Sequence, residues 1–183
     1  MISRLFPDKV TCLSALSGLL MALSFPSPDI SMFALVGLIA LVLVMDRRPF
    51  RSGFVAGLVF FVVVLYWVNI VMTTYGHLPL PLSIVLYLLL AAYLALFWGA
   101  ATWASCRLKA YRNYSVLLTL PVFWVALEFV REFFLTGFPW ATLGYSQHNF
   151  LTLIQSADLF GVYGLSFLLL LSNAVFAQVL LSW

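Results

Sequence analysis

Charge is what this sequence has least of. Asp, Glu, Lys and Arg make up 8% of its 183 residues, where an ordinary soluble domain carries about 25%. With 64% of the chain apolar, a soluble fold of this size could not hide its apolar surface, because much of any folded surface stays exposed. Lipid is the solvent that fits. The net charge of +3 is too small and too scattered for a nucleic-acid partner. Cysteine is equally scarce. Cys12 and Cys106 lie in or beside apolar segments, make no metal-ligand spacing and no disulfide framework, and read as buried thiols. No metal and no cofactor is expected. The basic start, MISRLFPDKV, lacks an A-x-A-like cleavage site after its apolar run, and further apolar segments follow at once. It reads as a retained first helix rather than a signal peptide.

What is abundant is apolar sequence in lengths that cross a bilayer, about 20 residues each. Six spans are expected, over 10–28, 30–45, 53–72, 82–105, 115–130 and 160–183. The first closes at SFPSPD. From Ser52 to Cys106 there is no charged residue, and TTYGHLPLP (73–81) divides that run into two helices, because Gly and Pro free backbone groups that must reach water. Basic residues then orient the spans. Arg4 and Lys9, then Arg47, Arg48 and Arg51, then Arg107, Lys109 and Arg112 occupy alternate connections, so eight of the nine basic residues fall on one side, which the positive-inside rule makes cytoplasmic. The expected fold is an all-α bundle of six transmembrane helices, N-terminus inside, with a long outer-face loop over 131–159 between spans five and six.

That loop contains GFPWATLGYSQHN (137–149), a polar and aromatic stretch without an acid, Lys or Arg. Connections are commonly about 4–6 residues, and long ones tend to be functional or disordered. The aromatics Phe133, Phe134, Phe138, Trp140, Tyr145, Phe150 and Phe160 suit the membrane interface. On composition, an anchoring aromatic belt and a binding surface fit equally well. Gly137 and Gly144 would permit tight turns and Pro139 would stiffen one. Ser146 and Gln147 could hydrogen-bond a headgroup or ester.

Other positions carry weaker signals. Glu128 and Arg131 are three apart and share a helix face. They fit an interfacial ion pair, and ionisable groups at this depth are also functional candidates. Asp158 fits a helix cap or a helix-dipole partner. His77 is a lone loop histidine. GFVAG (53–57) suits close helix packing, and Asn69 and Asn173 would hydrogen-bond between helices.

The ordered set Trp124, Glu128, Arg131, Gly137-Phe138-Pro139-Trp140, Leu143-Gly144-Tyr145-Ser146-Gln147, Gln155, Ala157-Asp158, Gly161-Val162-Tyr163-Gly164 and Ser166-Phe167 resembles the membrane domain of apolipoprotein N-acyltransferase. LSFPSPD, GFVAGLVFFVVVLYWV and YLALFWG agree more loosely, so the resemblance covers essentially the whole chain. It implies a bacterial inner-membrane protein whose loop 131–159 is periplasmic. The family moves an acyl chain from a phospholipid donor to the amino group of a diacylglyceryl-modified N-terminal cysteine of a lipoprotein. Its chemistry belongs to a nitrilase-like domain with a Glu-Lys-Cys triad, whose thiolate takes the acyl group as a thioester before the amine resolves it.

That domain is absent from these residues, and neither Cys12 nor Cys106 can replace its nucleophile, both being expected a membrane thickness from the outer loop. The chain alone is therefore expected to be inactive, and to supply lipid and lipoprotein access. A separately encoded nitrilase-like domain would be a partner. The substrate-cleft candidates are Gly137, Phe138, Pro139, Trp140, Gly144, Tyr145, Ser146 and Gln147. Two rivals remain: a non-catalytic membrane subunit, and a small-molecule transporter. The second is disfavoured by the lack of an internal repeat and of midplane charge.

Overall fold

The computed structural model describes residues 8–182. Arg4 and Trp183 lie outside the described residues. Within them the chain is helical, with nine α-helices, three 3₁₀ turns and no strand. The helices are α1 (Lys9–Ala22), α2 (Phe33–Val36), α3 (Ile39–Val44), α4 (Pro49–Val64), α5 (Tyr66–Thr74), α6 (Leu80–Arg112), α7 (Val116–Phe133), α8 (Leu151–Ile154) and α9 (Ala157–Leu181).

Local chemistry sets many of the ends. Asp8 caps α1 by accepting the Thr11 amide at 2.9 Å, and Ser115 caps α7 by accepting the Leu117 amide at 3.2 Å, each satisfying one orphan donor of a first turn. Pro49 opens α4, where its missing N–H costs nothing. Asn113 closes α6 in the left-handed region, after Lys109 and Arg112 have placed positive charge on the last turn.

By length and composition α6 and α9 can each cross a membrane, and α4 with α5 makes a third crossing if the pair, bent by 45° at Leu65, is one span. Large apolar side chains such as Leu82, Val85, Leu89 and Leu96 face outward from α6, as a lipid-facing surface requires. The chain is a membrane protein by these helices.

Several elements depart from the simple segment pattern. Over 30–45 the chain forms two short helices, α2 and α3, separated at Gly37 and Leu38. The backbone freed by that break is satisfied from other helices. Asn173 on α9 donates to Ala34 O at 2.8 Å and accepts the Leu38 amide at 2.7 Å, while Ser17 on α1 accepts the Leu41 amide at 2.7 Å. Irregular backbone inside a bundle is tolerated only with such partners. In α9, Gly161 takes φ 64° and ψ −173° and interrupts the helix. Ser156 holds the cap position and Asp158 sits inside the first turn, so Asp158 complements the helix dipole rather than capping it.

The core lies where α4 meets α6 and α7. A Cβ on Gly53 would stand 2.4 Å from Trp98 O, and one on Gly57 would stand 3.0 Å from the Trp98 side chain. Only glycine lets α4 approach α6 this closely, the GFVAG pattern acting as small residues do in lipid. The gap is filled by rings: Phe60 stacks on Trp98 at 4.8 Å and Trp98 meets Trp124 at 4.5 Å. Cys106 is buried, but Cys12 is exposed, which corrects the expectation for that residue: its position on α1 faces away from the bundle.

Candidate functional site

The long connection after α7 folds back onto the bundle instead of extending from it. A 3₁₀ turn over Phe134–Thr136 follows α7, and Leu135, Thr136 and Gly137 all have positive φ. The chain reverses so tightly that the Phe138 amide donates to Arg131 O at 3.1 Å. Gly137 is required twice over. Its φ is 81°, and a Cβ there would stand 1.9 Å from Glu132 O. Gly144 answers a different need. It lies in the 3₁₀ turn Leu143–Gln147, and a Cβ would stand 2.3 Å from Val162 O. Gly144 therefore permits a close approach to α9, where the sequence suggested turn conformation.

The anchors of this loop are Glu128 and Arg131. Both are buried, at 4% and 1% exposure. They are not joined as the ion pair that their spacing suggested, since no direct contact between them is formed among the described residues. Each reaches instead for the incoming loop. Glu128 Oε1 accepts the Leu143 amide at 3.0 Å, and Arg131 Nη2 donates to Thr142 Oγ1 at 3.3 Å. Arg131 also lies 5.4 Å from the Phe61 ring centroid, a distance at which the ring face attracts a cation. Two consecutive loop residues are thus held by two charges one helical turn apart.

Ser146 and Gln147 are fully buried. Ser146 donates to Leu143 O at 2.7 Å, and Gln147 Nε2 donates to Ser31 O at 3.2 Å and to Ser146 Oγ at 2.9 Å. They tie the loop to the segment before α2, and burial keeps them from a headgroup or ester at the surface. Phe138 packs against the core. Of the eight cleft candidates, the structure brings Pro139, Trp140 and Tyr145 to an open wall.

That wall borders a cleft of about 600 Å³. Pro139, Trp140, Ala141, Tyr145 and His148 form one side, and residues 25–27 and 64–67 form the other. Trp140 is 57% exposed and Tyr145 is 50% exposed. Trp67 and Trp140 meet edge to face, with ring centroids 5.6 Å apart. The opposite side lies outside the polar and aromatic stretch 137–149. Phe25 before Pro26 is a sequence signal for that side, whereas Tyr66 and Trp67 follow a bend at Leu65 that no Gly or Pro in the sequence marks. At the cleft's edge Asp29, in the left-handed region, accepts from Asn149 Nδ2 and lies 3.4 Å from His148 Nε2. The cleft is largely apolar and aromatic, with polar groups at its edge, the composition of a small-molecule or acyl-chain site. His77, by contrast, is exposed in its loop.

Cys106 stands apart from this cleft. Tyr93 of α6 donates to Phe134 O at the loop end of the bundle. Cys106 is thirteen residues farther along the same helix, about 20 Å at 1.5 Å per residue, beside Asp46 and Lys109.

Comparison with known proteins matches residues 17–175 to the apolipoprotein N-acyltransferase N-terminal domain. An apolipoprotein N-acyltransferase of Geobacter metallireducens is 45% identical over 178 residues, which cover 95% of this chain and 34% of the relative. One from Chromobacterium violaceum is 36% identical over 145 residues, 78% of this chain and 28% of its own length. One from Pasteurella multocida is 32% identical over 181 residues, 98% of this chain and 34% of its own length. The chain therefore spans about a third of the length of these curated relatives.

Proposed function

Because this chain belongs to the apolipoprotein N-acyltransferase family, we propose that it forms the membrane part of such an enzyme and provides the route by which two lipid-bearing substrates reach the chemistry. The reaction is acyl transfer from a phospholipid to the amino group of a lipoprotein's N-terminal diacylglyceryl-cysteine. It proceeds by two exchanges: a thiolate displaces the lysophospholipid alkoxide from the ester, and the amine then displaces the thiolate, leaving an amide. The nucleophile is supplied by a nitrilase-like domain, in the same polypeptide or as a partner. Within this reading the helices make six crossings of the bacterial inner membrane, with the N-terminus cytoplasmic and loop 131–159 periplasmic.

The observation that carries the access role is the cleft between Trp140 and Trp67. Its aromatic walls suit an acyl chain and a glycerol backbone, and its position against the interfacial loop would let a lipid enter sideways without leaving the bilayer. Edge-to-face aromatic walls hold such groups at low conformational cost. The location of Cys106, about 20 Å along α6 from Tyr93, where that helix meets the loop, supports assigning the nucleophile elsewhere.

The test uses the full-length enzyme with Trp140→Ala and Tyr145→Ala combined. Acyl transfer to a lipoprotein substrate in vesicles is expected to slow while the unfolding midpoint stays near that of the parent. Unchanged transfer by a folded double variant would remove the access role.

A further inference from the structure

Behind the loop anchors lies a second, much smaller cavity, lined by Phe97, Trp98, Ala101, Trp124, Leu127, Glu128 and Arg131. Its volume is about 10 Å³, room for the centre of one water molecule and no more. Four of its lining residues are polar, and each keeps one buried atom without a hydrogen-bond partner: Trp98 Nε1, Trp124 Nε1, Glu128 Oε2 and Arg131 Nε. All four residues are at most 4% exposed. Buried polar groups are nearly always paired with protein or ordered water, and four unpaired atoms around one cavity point to a shared partner.

We propose that this cavity is a binding site for a single structural water, which bridges Glu128 Oε2 to Arg131 Nε and to the Trp98 indole N–H. The donor count selects the ligand. Three of the four atoms are N–H donors and one is a carboxylate oxygen. A water donates to Glu128 Oε2 and accepts two N–H bonds in a near-tetrahedral arrangement, a normal complement for a buried water. A cation would face three donors. A halide would exceed the volume and would be repelled by the carboxylate. A dry cavity would leave Glu128 Oε2, Arg131 Nε and the Trp98 indole N–H without a partner.

The water explains why Glu128 and Arg131 sit one turn apart without touching. Each spends its outward atom on the loop, through Leu143 N and Thr142 Oγ1, and its inward atom on the shared water. The charges compensate one another through that bridge, while the loop that carries Trp140 and Tyr145 stays clamped to α7. The Trp98 indole, in ring contact with Trp124 at 4.5 Å, acquires the partner that a buried N–H needs, while the Trp124 indole N–H stands beside the Glu128 carboxylate.

The decisive experiment is a structure of the full-length enzyme in lipid nanodiscs at a resolution that shows ordered water. One density peak is expected within about 2.6–3.2 Å of Glu128 Oε2 and of at least one indole nitrogen. An empty cavity, or a rearranged Glu128 in direct contact with Arg131, overturns the proposal. A second measurement is independent of resolution. X-ray radiolysis in H₂¹⁸O generates hydroxyl radicals from bound water, so Trp98 and Trp124 are expected to take up label well above Phe60 and Phe61, once each ring is normalised for its intrinsic reactivity. Phe60 and Phe61 are just as buried but do not line this cavity. Equal labelling of all four rings would count against a water at this place.

Discussion

Glu128 Oε1 accepts the Leu143 amide at 3.0 Å across fifteen residues of sequence, so a charged atom near the end of one helix fixes the backbone of the loop that follows it. Together with Arg131 and Thr142, this contact makes the orientation of the aromatic wall a consequence of buried electrostatics.

Removing that acceptor leaves both the amide and the Arg131 charge uncompensated. Glu128→Ala is expected to destabilise the fold by about 3–5 kcal/mol, the usual result of breaking one side of a buried charge arrangement. Glu128→Gln keeps an acceptor for Leu143 and should fall between Ala and the parent. Thermal unfolding in detergent checks the order, and an Ala variant as stable as the parent would refute the clamp.

Trp67 carries no polar or helix-breaking motif around it in the sequence, yet it meets Trp140 across the cleft. If the cleft admits acyl chains, Trp67→Ala should slow acyl transfer by about the same factor as Trp140→Ala, roughly two- to tenfold from the size of an aromatic pair. A steady-state comparison in vesicles distinguishes a two-sided cleft from a single exposed tryptophan. A normal rate in Trp67→Ala would leave Trp140 as an anchor only.

Asn173 closes the break between α2 and α3 with both ends of its amide. Asn173→Leu strands the Leu38 amide and the Ala34 carbonyl of that break. The expected loss is about 1–3 kcal/mol for each stranded group, read from the unfolding midpoint. A Leu variant at least as stable as the parent would mean that the break finds other partners.

Gly18 and Gly161 separate two kinds of glycine requirement. A Cβ on Gly18 would lie 2.1 Å from Ala56 O, so α1 and α4 must move apart. Gly18→Ala should cost about 1–3 kcal/mol by overpacking. At Gly161 nothing lies within 4 Å, but φ is +64°, so Gly161→Ala pays backbone strain of about 1–3 kcal/mol instead. Adding serine at both positions tells them apart: the bulkier side chain should worsen position 18 and leave position 161 near its alanine value.

Asp8 supplies a pH dependence. Its carboxyl is held below its ordinary value of 3.8, first by the Thr11 amide, then by the Thr11 hydroxyl and by Arg48 and Arg51. A lowered folded-state pKa adds stability that is full above 3.8 and is lost as pH falls through the lower folded value. Asp8→Asn keeps the cap but not the charge. The stability gap between parent and variant should therefore be constant above about pH 5 and close as the pH falls below about 4. A gap that persists in acid would exclude the charge as its source.

Much of this protein was decided in the sequence alone. Apolar runs without charge had to become helices in lipid, because only helices satisfy their own backbone there. Small residues at 53 and 57 had to mark a close contact, because nothing larger fits between helices. The ordered motif from Trp124 to Phe167 marked the family. What tertiary structure decided is where the polar atoms point. Ser146 and Gln147 looked available in the sequence, and the fold spends them on Ser31 and Leu143. Glu128 and Arg131 looked like a local pair, and the fold turns them toward the loop and a shared cavity. The second wall of the cleft comes from segments more than seventy residues distant in the chain. Periodicity and composition report on a segment and its solvent, whereas a hydrogen-bond partner or an opposing ring is fixed only when distant segments pack together.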